Sequence, residues 1–114
     1  MAVMGQVRGG NGGSTFNPTE KRKASANTNE NGSAFSVLTV GKWYAITYQD
    51  DSSTSTDTIV GLDPNTISEF FSNAVNWGTK NCYTRTIIGK ANGTSLTISN
   101  NVSRVWGMVV IQLD

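Results

Sequence analysis

The C-terminal segment Val105–Asp114, VWGMVVIQLD, constrains the fold most strongly, because it reads as a strand with apolar residues on both faces. Strict alternation sorts its apolar side chains into two sets, Val105, Val109, Ile111 and Leu113 on one face and Trp106, Met108 and Val110 on the other. A half-buried strand of a small domain alternates apolar and polar residues instead. The sequence therefore predicts that both faces of this strand are covered.

Two arrangements would cover both faces. Either a helix lies over one side and a second sheet over the other, or a symmetry-related copy covers one side. The chain has 114 residues, and a domain of this size has few large side chains to spare. A homo-oligomer with cyclic symmetry, with a trimer favoured, explains the strand more simply. The predicted oligomer interface consists of Val105, Trp106, Met108 and Val110.

Short β-rich segments separated by Gly and Asn turns make up most of residues 35–114. AFSVLTVGKWYAITYQDD reads as one strand or two with a kink near Gly41. Further strands are TIVGL, NCYTRTIIGKA, TSLTISN and SRVWGMVVIQLD, and Asn92-Gly93 is a hairpin signal between two of them. The pattern predicts a mainly β fold, either an antiparallel β-sandwich or a jelly-roll-like barrel.

One short helix is predicted within LDPNTISEFFSNAVNWG, residues 62–78. Asp63 is a suitable cap, and Pro64 suits the first helical position. The apolar residues that follow fit one helical face, and they are Ile67, Phe70, Phe71, Ala74 and Val75. The fold class is therefore β with a single short helix.

Residues 1–34 have few large apolar side chains and many Gly, Asn and Ser residues. Such a segment buries too little surface to be ordered alone, so we expect an extended arm held by a neighbouring subunit. The alternative is a tail that wraps its own domain, residues 35–114. The predicted arm contacts are Arg8, Phe16, Lys21, Arg22 and Lys23. On the neighbouring-subunit hypothesis, removing the arm changes the stability of the domain little.

Charge and residue types exclude several functions. The net charge is +1, and the basic cluster EKRKA is too small to favour nucleic-acid binding. The chain has no histidine, and its one cysteine, Cys82, reads as a core residue. Zinc sites and Ser-His or Cys-His catalysis are therefore excluded. We expect a protein that is not an enzyme, with no catalytic residue, metal or cofactor.

One candidate ligand surface remains, in and beside the polar loop Gln49–Asp57. It consists of Tyr48, Asp50, Asp51 and Asp57, which a calcium-dependent glycan site would use. Asp50 and Asp51 are adjacent and point apart in an extended segment, so a solvated loop is favoured over a calcium site. The N-terminus has no signal-peptide pattern, and no apolar run is long enough for a membrane span. We therefore expect production in a cytoplasm and no membrane partner.

The Gly- and Asn-rich arm, followed by VGKWYAITY, IIGKANGTSLTIS and VWGMVVIQLD, resembles the small β-sandwich or jelly-roll structural proteins of tailed-phage virions. These include head decoration proteins, head fibres and fibre tips. The outline is also similar to tumour-necrosis-factor-like trimers, whose last strand packs at a threefold axis. The resemblance implies a virion component whose arm clasps a sister subunit or another virion protein such as the major capsid protein. The alternative is a receptor- or glycan-binding fibre-tip or lectin-like module.

Overall fold

The protein is mainly β, with antiparallel sheets, as the sequence predicts. The computed structural model describes residues 15–24, 28–51, 57–71, 75–77, 80–100 and 104–114. The strands, in chain order, are β1 (Thr19–Arg22), β2 (Ala34–Phe35), β3 (Trp43–Asp50), β4 (Thr58–Val60), β5 (Ser68–Phe71), β6 (Val75–Trp77), β7 (Lys80–Lys90), β8 (Leu96–Ser99) and β9 (Val105–Gln112).

These strands form two sheets. The six-stranded sheet has the order β1-β9-β3-β7-β5, and β6 pairs with the first part of β7. The three-stranded sheet has the order β2-β8-β4. The apolar core combines buried residues of both sheets, for example Ile46 and Ile87 from the first and Leu96 and Ile98 from the second. This arrangement is consistent with a β-sandwich.

Strand β3 lies in the middle of the six-stranded sheet and alternates strictly. Tyr44, Ile46, Tyr48 and Asp50 are buried towards the three-stranded sheet, whereas the residues between them are half-buried on the opposite side. Its neighbours β7 and β9 are both paired antiparallel to it. Gly41, in the turn before β3, has a φ of 90°, so the predicted kink is a turn that separates β2 from β3.

Strand β9 contains a bulge that the sequence analysis did not predict. Thr47 on β3 pairs with Val109 and Gln49 pairs with Trp106, so Tyr48 faces two residues, Gly107 and Met108. Gly107 has a φ of 67°, the left-handed conformation that this kind of bulge requires. The extra residue puts Val105, Met108 and Val110 on the inner face of the sheet, and Trp106, Val109 and Ile111 on the outer face.

The predicted helix within residues 62–78 is wrong. Asp63 caps a single 3₁₀ turn at Pro64–Thr66, and the chain then continues as β5. Ile67 packs against the core beside this turn. Strand β5 pairs with Arg85–Ile88 of β7, which puts Glu69 and Phe70 on opposite faces. None of the described residues belongs to a helix long and apolar enough to cross a membrane.

The predicted hairpin at Asn92-Gly93 also differs from the structure. Strand β7 belongs to the six-stranded sheet and β8 to the three-stranded sheet, so this turn carries the chain across the core. The isolated bridge between Leu62 and Ala91 and the hydrogen bond from Asn92 N to Gly61 O hold the crossing point. The turn residues were identified correctly, but they connect two sheets and not two paired strands.

Candidate functional site

Four polar side chains form a buried cluster at the end of β3, which we call the buried polar cluster. It consists of Tyr48, Asp50, Asp57 and Arg85. Arg85 Nε lies 2.5 Å from Asp50 Oδ2 and 3.5 Å from Asp57 Oδ2. The Tyr48 hydroxyl donates to Asp57 Oδ2. Glu69 of β5 approaches from the surface, with Oε2 at 3.5 Å from Arg85 Nη1.

Burial and neighbouring charges shift the pKa values of two members of this cluster, Arg85 and Tyr48. Burial, the largest single effect, lowers the pKa of Arg85, but Asp50 and Asp57 outweigh it and the pKa ends above its ordinary value. Burial, followed by the hydrogen bond to Asp57, raises the pKa of Tyr48 above its ordinary value. Arg85 therefore stays charged and Tyr48 stays neutral within this network.

Three of the four residues of the predicted ligand surface are buried in this network. Tyr48 and Asp50 are fully buried, and only 1% of the Asp57 side chain is exposed. The second carboxylate oxygen of Asp57 accepts from Asn100 Nδ2 at 2.9 Å, while Asp51 accepts from the backbone N–H of Arg104 at 3.0 Å. Among the described residues, no group of three or more Asp, Glu, Cys or His side chains is placed to hold a metal ion. The four residues therefore do not form an exposed site.

A second buried ion pair lies at the bulge of β9. Arg22 of β1 pairs with Glu30, which is almost completely buried. Arg22 Nη1 donates to Met108 O at 2.6 Å, and Glu30 Oε1 accepts from Met108 N at 3.4 Å. The Arg22 guanidinium also stacks over the Phe35 ring at 4.0 Å. The pair thus satisfies the backbone groups of Met108 at the bulge, where the β3–β9 pairing is irregular.

The predicted arm residues fall into different environments. Only Arg22 makes buried contacts, whereas Lys21 and Lys23 are exposed and Phe16 is 74% exposed. Arg8 lies outside the described residues. Asn17 N donates to Leu113 O at 2.7 Å, and β1 pairs with β9. The described part of residues 1–34 therefore packs on its own chain, which is the alternative that the sequence left open.

The opposite side of the six-stranded sheet, which we call the outer face, has apolar and neutral polar side chains at its centre and Glu20, Lys90 and Arg104 at its margins. Its members point away from the three-stranded sheet: Trp43, Ala45, Thr47 and Gln49 on β3, Phe70 on β5, Thr84, Thr86 and Ile88 on β7, and Trp106, Val109 and Ile111 on β9. Most are half-buried, whereas Trp106 is buried with 9% of its surface exposed and Phe70 is 56% exposed. Every described strand belongs to one of the two sheets, and the three-stranded sheet packs on the other side.

The predicted interface residues divide between the core and this outer face. Val105, Met108 and Val110 are fully buried in the core of a single chain, so they are not available to contact another subunit. Trp106 lies on the outer face, where the Arg104 guanidinium sits 5.2 Å from its ring centroid. The sequence analysis did not assign Trp43 to such a surface. The missed signal was Gly107, because an isolated glycine inside a strand pattern indicates a bulge.

Comparison of this chain with protein families, with curated proteins and with solved structures finds no match.

Proposed function

We propose that this chain is a non-enzymatic virion structural protein, a capsid decoration or accessory component. It would be made in the host cytoplasm and assembled as a symmetric homo-oligomer on other virion proteins such as the major capsid protein. The observation that carries the proposal is the order of the strands. Strands β1, β3, β7 and β9 belong to one sheet, in which β5 and β6 also pair with β7, and β2, β4 and β8 belong to the other. Apart from the run β5 to β7, successive strands alternate between the sheets, which supports a jelly-roll-like sandwich, an architecture that recurs in viral capsid domains.

The placement of the ionic groups supports a structural role. Arg85 and Arg22 lie in networks with buried carboxylates and hold strands together. Cys82 is half-buried, and burial, with the nearby Asp50 and Asp51 charges, raises the pKa of its thiol, which makes it a poor nucleophile. The outer face, whose central side chains are uncharged, offers area for contact with other subunits. These features suit assembly better than turnover of a substrate.

The jelly-roll-like order is also found in lectin domains, so the fibre-tip or glycan-binding alternative needs a separate test. That alternative relied on Tyr48 and the acidic residues beside it. Tyr48, Asp50 and Asp57 are enclosed with Arg85, so the structural role is favoured. The predicted trimer interface was Val105, Trp106, Met108 and Val110. Val105, Met108 and Val110 are core residues of a single chain, so a contact between subunits that uses β9 would involve its outer side, where Trp106 lies.

The test is quantitative mass spectrometry of virus particles purified from cells that produce this protein. We expect the chain at many copies per particle, removed together with capsid proteins by a capsid antibody, and an abundant host protein serves as the contamination control. Absence from the particles, or enrichment no greater than that of the host protein, would overturn the proposal. Immunogold label confined to fibre ends, together with glycan-array binding, would instead support the lectin-like alternative.

A further inference from the structure

We propose that the outer face is a self-association surface, on which a second copy of this chain packs face to face across a two-fold axis. For its biological setting this inference rests on the proposed assembly function, and it names the partner and the residues of that contact. The contact would consist of side chains of β3, β7 and β9, centred on Thr47 and Val109 and flanked by Trp43 and Trp106. An isologous contact of this kind is the commonest way in which identical subunits associate.

The area of the face fits such a contact. The four strands that carry its members, spaced at about 4.8 Å, give a width of about 19 Å, and the eight residues of β3 at about 3.3 Å each give a height of about 26 Å. Two copies would therefore bury on the order of 1,000 Å² in total, which is about the minimum expected of a biological interface.

The composition of the face favours an identical partner. Its members are apolar, aromatic or neutral polar side chains, so a charged partner would lose solvation without gaining an opposite charge. A second outer face meets this requirement because its central side chains are equally uncharged. Trp43, which is half-buried, supplies a large aromatic side chain of the kind that dominates the energy of protein interfaces. Phe70, which is 56% exposed, would gain most from being covered.

Charges at the rim of the face also match across a two-fold axis. Glu20 on β1 pairs with Ile111, and Lys90 on β7 pairs with Trp43, so both lie near the first residues of β3 on the outer side. They stand on opposite sides of β3 in the order of the sheet. A two-fold axis parallel to β3 exchanges these sides, so that Glu20 of each copy approaches Lys90 of the other. Opposite charges at the rim set the orientation of the pair.

The test measures the association of the full chain by sedimentation equilibrium. We expect a concentration-dependent dimer for the wild type. Val109→Glu puts a charge at the centre of the contact and should weaken association about thirtyfold or more, the effect of losing an interface hot spot. The matched control is Val60→Glu, because Val60 is 56% exposed on the outward side of the three-stranded sheet. This variant should dimerise like the wild type.

Two further variants keep the proposal falsifiable. Thr86→Arg tests the same face at a position that is already polar and half-buried, in case Val109→Glu does not melt like the wild type. Lys90→Glu alone should weaken association, and Glu20→Lys in the same chain should restore it. A monomeric wild type, or a dimer that survives both Val109→Glu and Thr86→Arg, would overturn the inference. Weakening by Val60→Glu as strong as by Val109→Glu would also overturn it.

The two proposals fail in different ways. A chain that dimerises through this face but is absent from virus particles would refute only the virion function. A chain that is abundant in particles but monomeric in solution, or dimeric through another face, would refute only the outer-face contact.

Discussion

Arg85 is the residue on which most of the polar core depends. Its guanidinium meets carboxylates from three separate parts of the chain: Asp50 at the end of β3, Asp57 before β4, and Glu69 on β5. One side chain thus ties both sheets together at one end of the core. Because Asp50 is fully buried, removing Arg85 would leave its carboxylate charge without this cation in a low-dielectric environment, which is unfavourable.

We predict that Arg85→Met destabilises the protein by about 3–5 kcal/mol, the usual effect of removing one partner from a buried ion pair. Lys42→Met is the matched control because Lys42 is exposed in the turn before β3, and it should change stability by less than about 0.5 kcal/mol. Urea denaturation followed by tryptophan fluorescence measures both. Equal effects of the two substitutions would contradict the structural role of Arg85.

The sequence grouped Tyr48, Asp50 and Asp57 together, but it placed them on an exposed surface. Strict alternation in WYAITYQD already puts Asp50 on the same side as Tyr44, Ile46 and Tyr48. The polar loop that follows Asp50 suggested instead that this side chain is exposed to solvent. The partner Arg85 lies on β7, far away in the chain, and no local pattern indicates which cation a buried carboxylate will meet.

At the scale of elements, the sequence predicted β2 to β4 and β7 to β9, but it missed β1 and read the segment of β5 and β6 as a helix. The capping signal at Asp63-Pro64 was correct, and it starts one 3₁₀ turn. The apolar spacing that follows fits a helix, but Ile67, Phe70 and Phe71 are also good strand residues. Pairing of β5 with the edge of β7 decides between the two, because tertiary contacts override weak local preference.

The segment from β1 to Glu30 supports the bulge of β9, and this gives an element-scale prediction. A chain that begins at Ser33 lacks both Arg22 and Glu30, which bond the backbone of Met108, and the N–H of Glu30, which donates to Val105 O. Buried backbone groups without partners cost about 1–3 kcal/mol each. We therefore expect this truncation to lose at least about 3 kcal/mol, in contrast to the small effect expected from the sequence alone.

Thermal melting checks this result, with Lys21→Ala in the full chain as the control. Lys21 is exposed on the same strand, so its replacement should leave the melting temperature nearly unchanged. A truncated chain that melts with the full-length protein would contradict the role assigned to the Arg22–Glu30 pair.

At the scale of the whole molecule, strands that are distant in sequence lie side by side. The first strand pairs with the last, and β3 pairs with both β7 and β9. Each of these pairings closes a long loop before its contacts form, which makes folding slow. This topology was only partly predictable, since hydrophobic patterns mark strands but do not identify their partners.

We predict that the protein refolds from urea on the millisecond-to-second timescale typical of β-sandwiches. Stopped-flow dilution followed by tryptophan fluorescence measures this rate, and far-ultraviolet circular dichroism should give the same rate if folding is two-state. Complete refolding within microseconds would contradict the topology described here.

The bulge at Gly107 determines which side chains of β9 face the core. Gly107 is one residue more than strict alternation along β9 allows. The bulge accommodates this extra residue, so Val105 and Met108 both point into the core. A chain lacking Gly107 would keep the same side chains inward on a regular strand. A chain lacking Val109 would, on a regular strand, turn Met108 to the outer face. Deletion at position 107 therefore leaves every remaining side chain of this strand on its own face.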